Sequence, residues 1–163
     1  MDFEPSQRCR DFSERLTDFM QEHVYPAEEI FAAQLREAGD PHAEPAVMEA
    51  LKEEARRRGL WNLFLPDDEH GAGLTNSEYA PLAEIMGRTK IASEACNCSA
   101  PDTGNMEVLT LFGTPEQKDA WLRPLLDGEI RSAFAMTEPD VAEGVASYVE
   151  RRPPAFPPLP ARS

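Results

Sequence analysis

Five groups of side chains in this sequence have the types and spacing to do chemistry. Phe134-Ala135-Met136-Thr137-Glu138-Pro139 ends a short apolar run on a hydroxyl, a carboxylate and a proline, a turn that could form part of a cofactor site. Cys96-Asn97-Cys98 could be half of a metal site, since paired thiolates bind soft cations. Gly71-Ala72-Gly73 has the spacing of a weak phosphate-loop motif, and Arg56-Arg57-Arg58 sets three cations in a row. Arg151-x-x-Pro154-x-x-Pro157 and Pro157-x-x-Pro160-x-Arg162 carry both spacings of a polyproline ligand.

Each group has a plainer reading. No second cysteine pair exists, and His23, His42 and His70 lie on other elements without ligand spacing, so Cys96 and Cys98 read as buried thiols and no metal is expected. The glycine pair lacks a preceding strand and a following lysine or third glycine. Asp67, Asp68 and Glu69 beside it would repel phosphate, which leaves a tight surface turn. The arginine triplet precedes Gly59, where cations oppose the negative end of a helix dipole and glycine suits the left-handed residue beyond it. No Gly-x-Ser-x-Gly elbow supports an esterase. Five of the 15 prolines fall between residues 153 and 160, so the tail reads first as a disordered segment.

The elements that must position these groups are mostly helical. Phe12, Leu16, Phe19 and His23, with Met20 and Val24, form one apolar stripe over residues 6–24. Pro26 predicts a kink or restart, after which Ala27, Ile30, Phe31 and Leu35 continue to a break at Gly39-Asp40-Pro41. A third helix opens at Pro45 and buries Val47, Met48, Leu51 and Ala55. Leu60–Pro66 is too apolar to be left in water and reads as a buried connector. Thr75-Asn76-Ser77-Glu78 has capping-box spacing before Tyr79, Leu82, Ile85 and Met86, with Pro81 tolerable if Ser77 is the cap. Met106, Leu109 and Phe112 mark another helix. Thr114-Pro115-Glu116-Gln117 then starts the last one, with Trp121, Leu122, Leu125 and Leu126 on its buried face, a bend near Pro124 and a stop at Gly128. Residues 130–136 are the one segment that reads as a strand.

Bulk properties exclude several functions. The formal charge is −14. Residues 143–163 hold two acids against three arginines, about +1, which leaves about −15 on residues 1–142. An acidic body repels phosphate backbones, so nucleic acid is not an expected partner. No apolar stretch is long enough for a membrane span. The acidic N-terminus fits neither a secretory signal nor a transit peptide, and three cysteines are no disulfide framework.

Phe134-Ala-Met-Thr-Glu-Pro139 resembles the flavin-contacting signature of the acyl-CoA dehydrogenases. Leu65-Pro66 with Gly71-Ala-Gly73-Leu74, and Gly113-Thr-Pro-Glu-Gln-Lys118 with Trp121-Leu-x-Pro-Leu-Leu-x-Gly128-Glu-Ile, are similar to further family segments in the same order. Asn97-Cys-Ser-Ala-Pro-Asp-Thr-Gly-Asn-Met106 is closest to the family member 10/11 subgroup and its bacterial relatives. The resemblance implies an all-α, N-terminal helical bundle over residues 1–128, the start of a middle β-domain over 129–142 and a non-homologous disordered tail over 143–163. It implies FAD as cofactor, faced by backbone near Phe134 and Met136 and by the Thr137 hydroxyl, with helices around Ile91–Met106 lining part of an acyl cavity. The substrate would be an acyl-CoA thioester, desaturated at its α,β bond in a parent that is a homo-oligomer. A bacterial cytoplasm is preferred, with mitochondrion or peroxisome if eukaryotic.

The sequence also departs from the family. Glu143 stands where the family places a serine near the cofactor pyrophosphate, and a carboxylate there is repulsive. No domain supplying a catalytic glutamate base follows, so no catalytic residue is assigned and the chain reads as an N-terminal fragment inactive alone. The alternatives are a non-catalytic helical interaction module with a Pro/Arg tail, or a truncation product without function.

Overall fold

The computed structural model describes residues 4–40 and 43–134, and the chain divides after Ser132 into two units, residues 1–132 and 133–163. The expected tail, 143–163, lies outside the described residues. The first unit is helical: α1 Gln7–Phe19, α2 Tyr25–Ala38, α3 Ala46–Arg57, α4 Asn76–Met86, α5 Ala92–Ala95, α6 Asp102–Phe112, α7 Pro115–Gln117 and α8 Arg123–Leu126. Helix α1 lies against α4, α3 against α2 and α5, and α6 against α8 and the turn before it.

Two prolines shape the helices in the same way. A π-helical turn, Met20–Val24, joins α1 to α2, and another, Lys118–Leu122, joins α7 to α8. Each ends two residues before a proline, Pro26 or Pro124. Proline donates nothing and its ring crowds the carbonyl four residues back. Widening the preceding turn, with Tyr25 N–H reaching Met20 O and Arg123 N–H reaching Lys118 O, makes room for the ring without breaking the rod. The expected kinks are therefore bulges in continuous helices.

The capping boxes form as the local pattern predicts. Thr75 accepts from Glu78 N–H while the Glu78 carboxylate accepts from Thr75 N–H at 3.0 Å, and Thr114 and Gln117 do the same for α7. The cap is thus Thr75 and not Ser77, which places Pro81 inside α4 and leaves the Ser77 carbonyl without its helical donor. Ser6, the N-cap of α1, accepts from Cys9 N–H and donates to Glu78 at 2.6 Å, so the starts of α1 and α4 are tied together. Ser6 first, then Thr75, holds the Glu78 carboxyl below its ordinary range.

The core gathers Leu16, Phe19, Met20 and Val24 from the first rod, Met48 and Leu51 from α3, Leu60, Leu63 and Leu65 from the connector, and Met86, Met106 and Leu122. Three residues placed on apolar faces stay in solvent: Ile30 at 49%, Phe112 at 79% and Trp121 at 53% exposure. Periodicity identifies a helix face but not whether another element covers it.

The strand expected at 130–136 is absent over its described part, 130–134. A strand needs a partner to take its alternate N–H and C=O groups. Here the Ser132 N–H goes instead to the Asp102 carboxylate at 2.7 Å.

Candidate functional site

Of the three residues expected to face a flavin, Phe134 is described and is 53% exposed, and Met136 and Thr137 lie outside the described residues. The approach to them is held by a polar cluster that sequence reasoning missed. Asp102, the first residue of α6, is only 2% exposed. One carboxylate oxygen accepts from Ser132 N–H at 2.7 Å and Ser132 Oγ at 2.6 Å, and the other accepts from Arg131 Nε. Arg131 Nη1 also reaches Glu94 at 2.8 Å, and Asn105 Nδ2 donates to Ser132 Oγ at 2.7 Å. The buried charge is thus paired and hydrogen-bonded, and the N-terminal end of the α6 dipole adds to its stabilisation. The available signal was Asp102 itself, an acid at a helix start with no Lys or Arg within a turn on either side.

A second network fixes the end of α8 just upstream. Leu125 and Leu126 carry the last carbonyls of the helix, where Leu125 O accepts the Gly128 N–H at 3.0 Å and side chains add further donors. Asn97 Nδ2 donates to Leu125 O at 3.0 Å, and Trp61 Nε1 and Asn62 Nδ2 donate to Leu126 O at 2.7 and 3.1 Å. Asn97 also donates to Asn62 Oδ1 at 2.7 Å. Both asparagines hold positive φ, 55° and 52°, a conformation asparagine tolerates better than most residues. Beside this end a groove of about 360 Å³ is lined by Val108, Leu109, Trp121 and Ile130, with Asn105 and Ser132 at its polar side.

Three other groups singled out in the sequence, the cysteine pair, the glycine pair and the arginine triplet, lie among the described residues, and the Pro/Arg spacings at 151–162 lie outside them. Burial pushes the Cys98 thiol up to about 11, and burial followed by the neighbouring Cys98 raises Cys96 as well. Burial thus favours the neutral thiols, which disfavours nucleophilic attack. Among the described residues no group of three His, Cys, Asp or Glu could hold a metal ion. Gly71 and Gly73 close a turn on Asp67: their N–H groups reach Asp67 O at 3.2 and 3.1 Å, and the Asp67 carboxylate accepts from Glu69 and His70 N–H. Those amides are spent on the loop and point at no phosphate. A groove of about 600 Å³ next to it is lined by Asp67, Asp68, Glu69 and Glu107 against Lys118, a balance that disfavours an anionic ligand.

The arginine triplet is spent on structure. Arg56 lies over the Trp61 ring at 3.8 Å and donates to Asp127 O at 2.7 Å. Arg57 and Arg58 both pair with Glu54, and Arg58 also pairs with Glu22. Hydrogen bonds from Arg57, then Arg58, hold the Glu54 carboxyl down to about 2. A depressed native value means that this contribution is present above the ordinary 4.5 and is lost as pH falls from there through about 2. We expect urea unfolding to show stability falling between about pH 5 and pH 3, with a shallower fall in Glu54→Gln. An equal slope in both proteins would show that the triplet does not hold Glu54 this way.

A flavin dinucleotide needs an apolar seat for its ring and free donors for its diphosphate. Of that seat the Phe134 ring is described and is exposed. Among the described residues no glycine loop with unspent amides is set to receive a diphosphate.

The family model for the acyl-CoA dehydrogenase N-terminal domain matches residues 6–129. The chain is 55% identical to the probable acyl-CoA dehydrogenase FadE2 of Mycobacterium tuberculosis over 152 residues, which are 92% of this chain and 37% of that protein. It is 52% identical to mouse acyl-CoA dehydrogenase family member 10, covering 89% of this chain and 14% of the relative. A solved structure of a candidate acyl-CoA dehydrogenase from Mycobacterium abscessus superposes with a TM-score of 0.78 at 49% identity, over 89% of this chain and 38% of that one. The chain therefore spans under two-fifths of the length of these relatives. With a family model matched along most of its length and the fold reproduced by a solved relative, this chain belongs to the acyl-CoA dehydrogenase family and carries its N-terminal helical domain.

Proposed function

We propose that residues 1–128 act as the N-terminal helical domain of an FAD-dependent acyl-CoA dehydrogenase, with residues 129–142 as the entry to its middle domain. Residues 143–163 follow as a tail outside these two segments. The observation that carries this reading is the family match over 6–129, which leads within a few residues to Phe134-Ala-Met-Thr-Glu-Pro139. Bound FAD would supply the hydride acceptor for α,β-desaturation of an acyl-CoA thioester. This chain's part is to present backbone near Phe134 and Met136 and the Thr137 hydroxyl to the isoalloxazine, and to line the acyl side with α5 and α6. The parent works as a homo-oligomer in a bacterial cytoplasm.

Among the described residues no diphosphate seat is formed and no general base is assigned, and the 163-residue chain by itself is proposed not to turn over substrate. Purified protein is expected to be colourless and to pass no electrons from acyl-CoA to an artificial acceptor. A yellow preparation with tightly held FAD, or measurable acyl-CoA oxidation, overturns the part of the proposal that makes the chain inactive alone.

A further inference from the structure

We infer that Asp102 is a positioning residue: its buried carboxylate sets the point from which the chain enters the flavin-contacting segment, by holding Arg131 and Ser132 against the start of α6. The inference rests on the reading of residues 134–137 given above. Three donors from two consecutive residues converge on this one side chain: Ser132 N–H, Ser132 Oγ and Arg131 Nε. One of them is a main-chain group, so the carboxylate fixes backbone as well as side chains. Asn105, one turn along α6, takes a further grip on Ser132 Oγ at 2.7 Å, and Glu94 of α5 holds the far side of Arg131 at 2.8 Å. The clamp thus spans α5 and α6, the two helices proposed to line the acyl side. It ends two residues before Phe134. A flavin must be held within a fraction of an ångström of its partner atoms, and that precision comes from supporting hydrogen bonds on rigid elements. Asp102 is the group placed to provide it.

A core carboxylate that served only overall stability would be bonded to the helices of the core. This one spends its bonds on a non-helical segment, at residues where no strand or helix ladder satisfies the backbone.

The test uses the 163-residue chain and trypsin, because Arg131–Ser132 is itself a tryptic bond. Cleavage requires the segment around the bond to open locally. In the native chain cleavage after Arg131 should be slow, and the Ser132 amide proton should lie downfield and exchange slowly. Asp102→Asn removes the charge that pairs with Arg131 and turns one of the two acceptor oxygens into a donor facing donors. It should speed cleavage at this bond by roughly tenfold or more and move the Ser132 amide upfield, while the amides of Leu16 and Phe19 in α1 keep their protection. Equal acceleration at Arg131 and in α1 would mean a general loss of stability and would overturn the inference, as would no change at either. If Asp102→Asn does not fold, Ser132→Ala decides. It removes the hydroxyl bonds without stranding a charge, and faster cleavage after Arg131 alone supports the clamp, whereas an unaltered rate overturns it. Neither readout senses flavin. A colourless chain with an indifferent Ser132 sinks the clamp alone, and a yellow chain with a protected one sinks only the claim that the domain cannot hold FAD by itself.

Discussion

Phe19→Ala is expected to cost about 3–5 kcal/mol of folding stability, as truncation of a large, fully buried ring does when its surroundings cannot collapse. Phe19 ends α1, has no solvent exposure, and packs in the main core. It also sits at the join to the first π turn, with its ring stacked on His23 at a centroid distance of 5.9 Å. The widened turn is held by Tyr25 N–H on Met20 O and by the Pro26 ring, so the backbone there has little freedom to close a void. Domains of this size are stable by about 5–15 kcal/mol in all, so the variant should be near the edge of folding at ambient temperature. The check is the urea midpoint, which should fall with the slope unchanged. Ile30→Ala, on the exposed face of the adjoining helix, should shift it by no more than about 0.5 kcal/mol. A small loss at Phe19, comparable to that at Ile30, would show that the core is not assembled around α1.

Asn97→Ala should cost about 2–4 kcal/mol, from two separable sources. The first is hydrogen bonding. Asn97 is buried and its amide donates to Asn62 Oδ1 and Leu125 O; Leu125 O keeps the Gly128 N–H, so the loss falls mainly on the buried Asn62. The second is backbone strain, because Asn97 has φ 52° and alanine pays more than asparagine to sit there. Asn97→Gly separates the two, since glycine removes the strain and leaves the hydrogen-bond loss. We expect Asn97→Gly to recover part of the stability and Asn97→Ala none. Equal stabilities for alanine and glycine would show that strain contributes nothing, and near-native values for both would show that the end of α8 does not depend on this network.

How much of this was legible in advance depended on the distance between partners. The caps at Thr75 and Thr114 join residues three apart, so a short window contains both partners and the helix starts could be read directly. The left-handed glycines 39, 59 and 128 lie where a stop was expected, for the same local reason. Gly128 shows what local reading leaves out. A side chain there would meet the Trp61 ring at 2.8 Å, a closeness that only the packed structure reveals. Trp121 and Phe112 were assigned by period to apolar faces and are exposed, because a period orients a side chain without naming its cover.

The amino-acid order by itself determined the helices, their caps, the buried connector, the inert thiols and the family signature around Phe134, since each depends on neighbours along the chain or on residue type. The tertiary structure alone decided which carboxylate is buried and what it holds. Asp102 meets Ser132 across 30 residues, and Asn97 meets Asn62 across 35. Such pairs are made by packing, whose enthalpy and solvent exclusion are properties of the assembled core and leave no periodic trace in the chain.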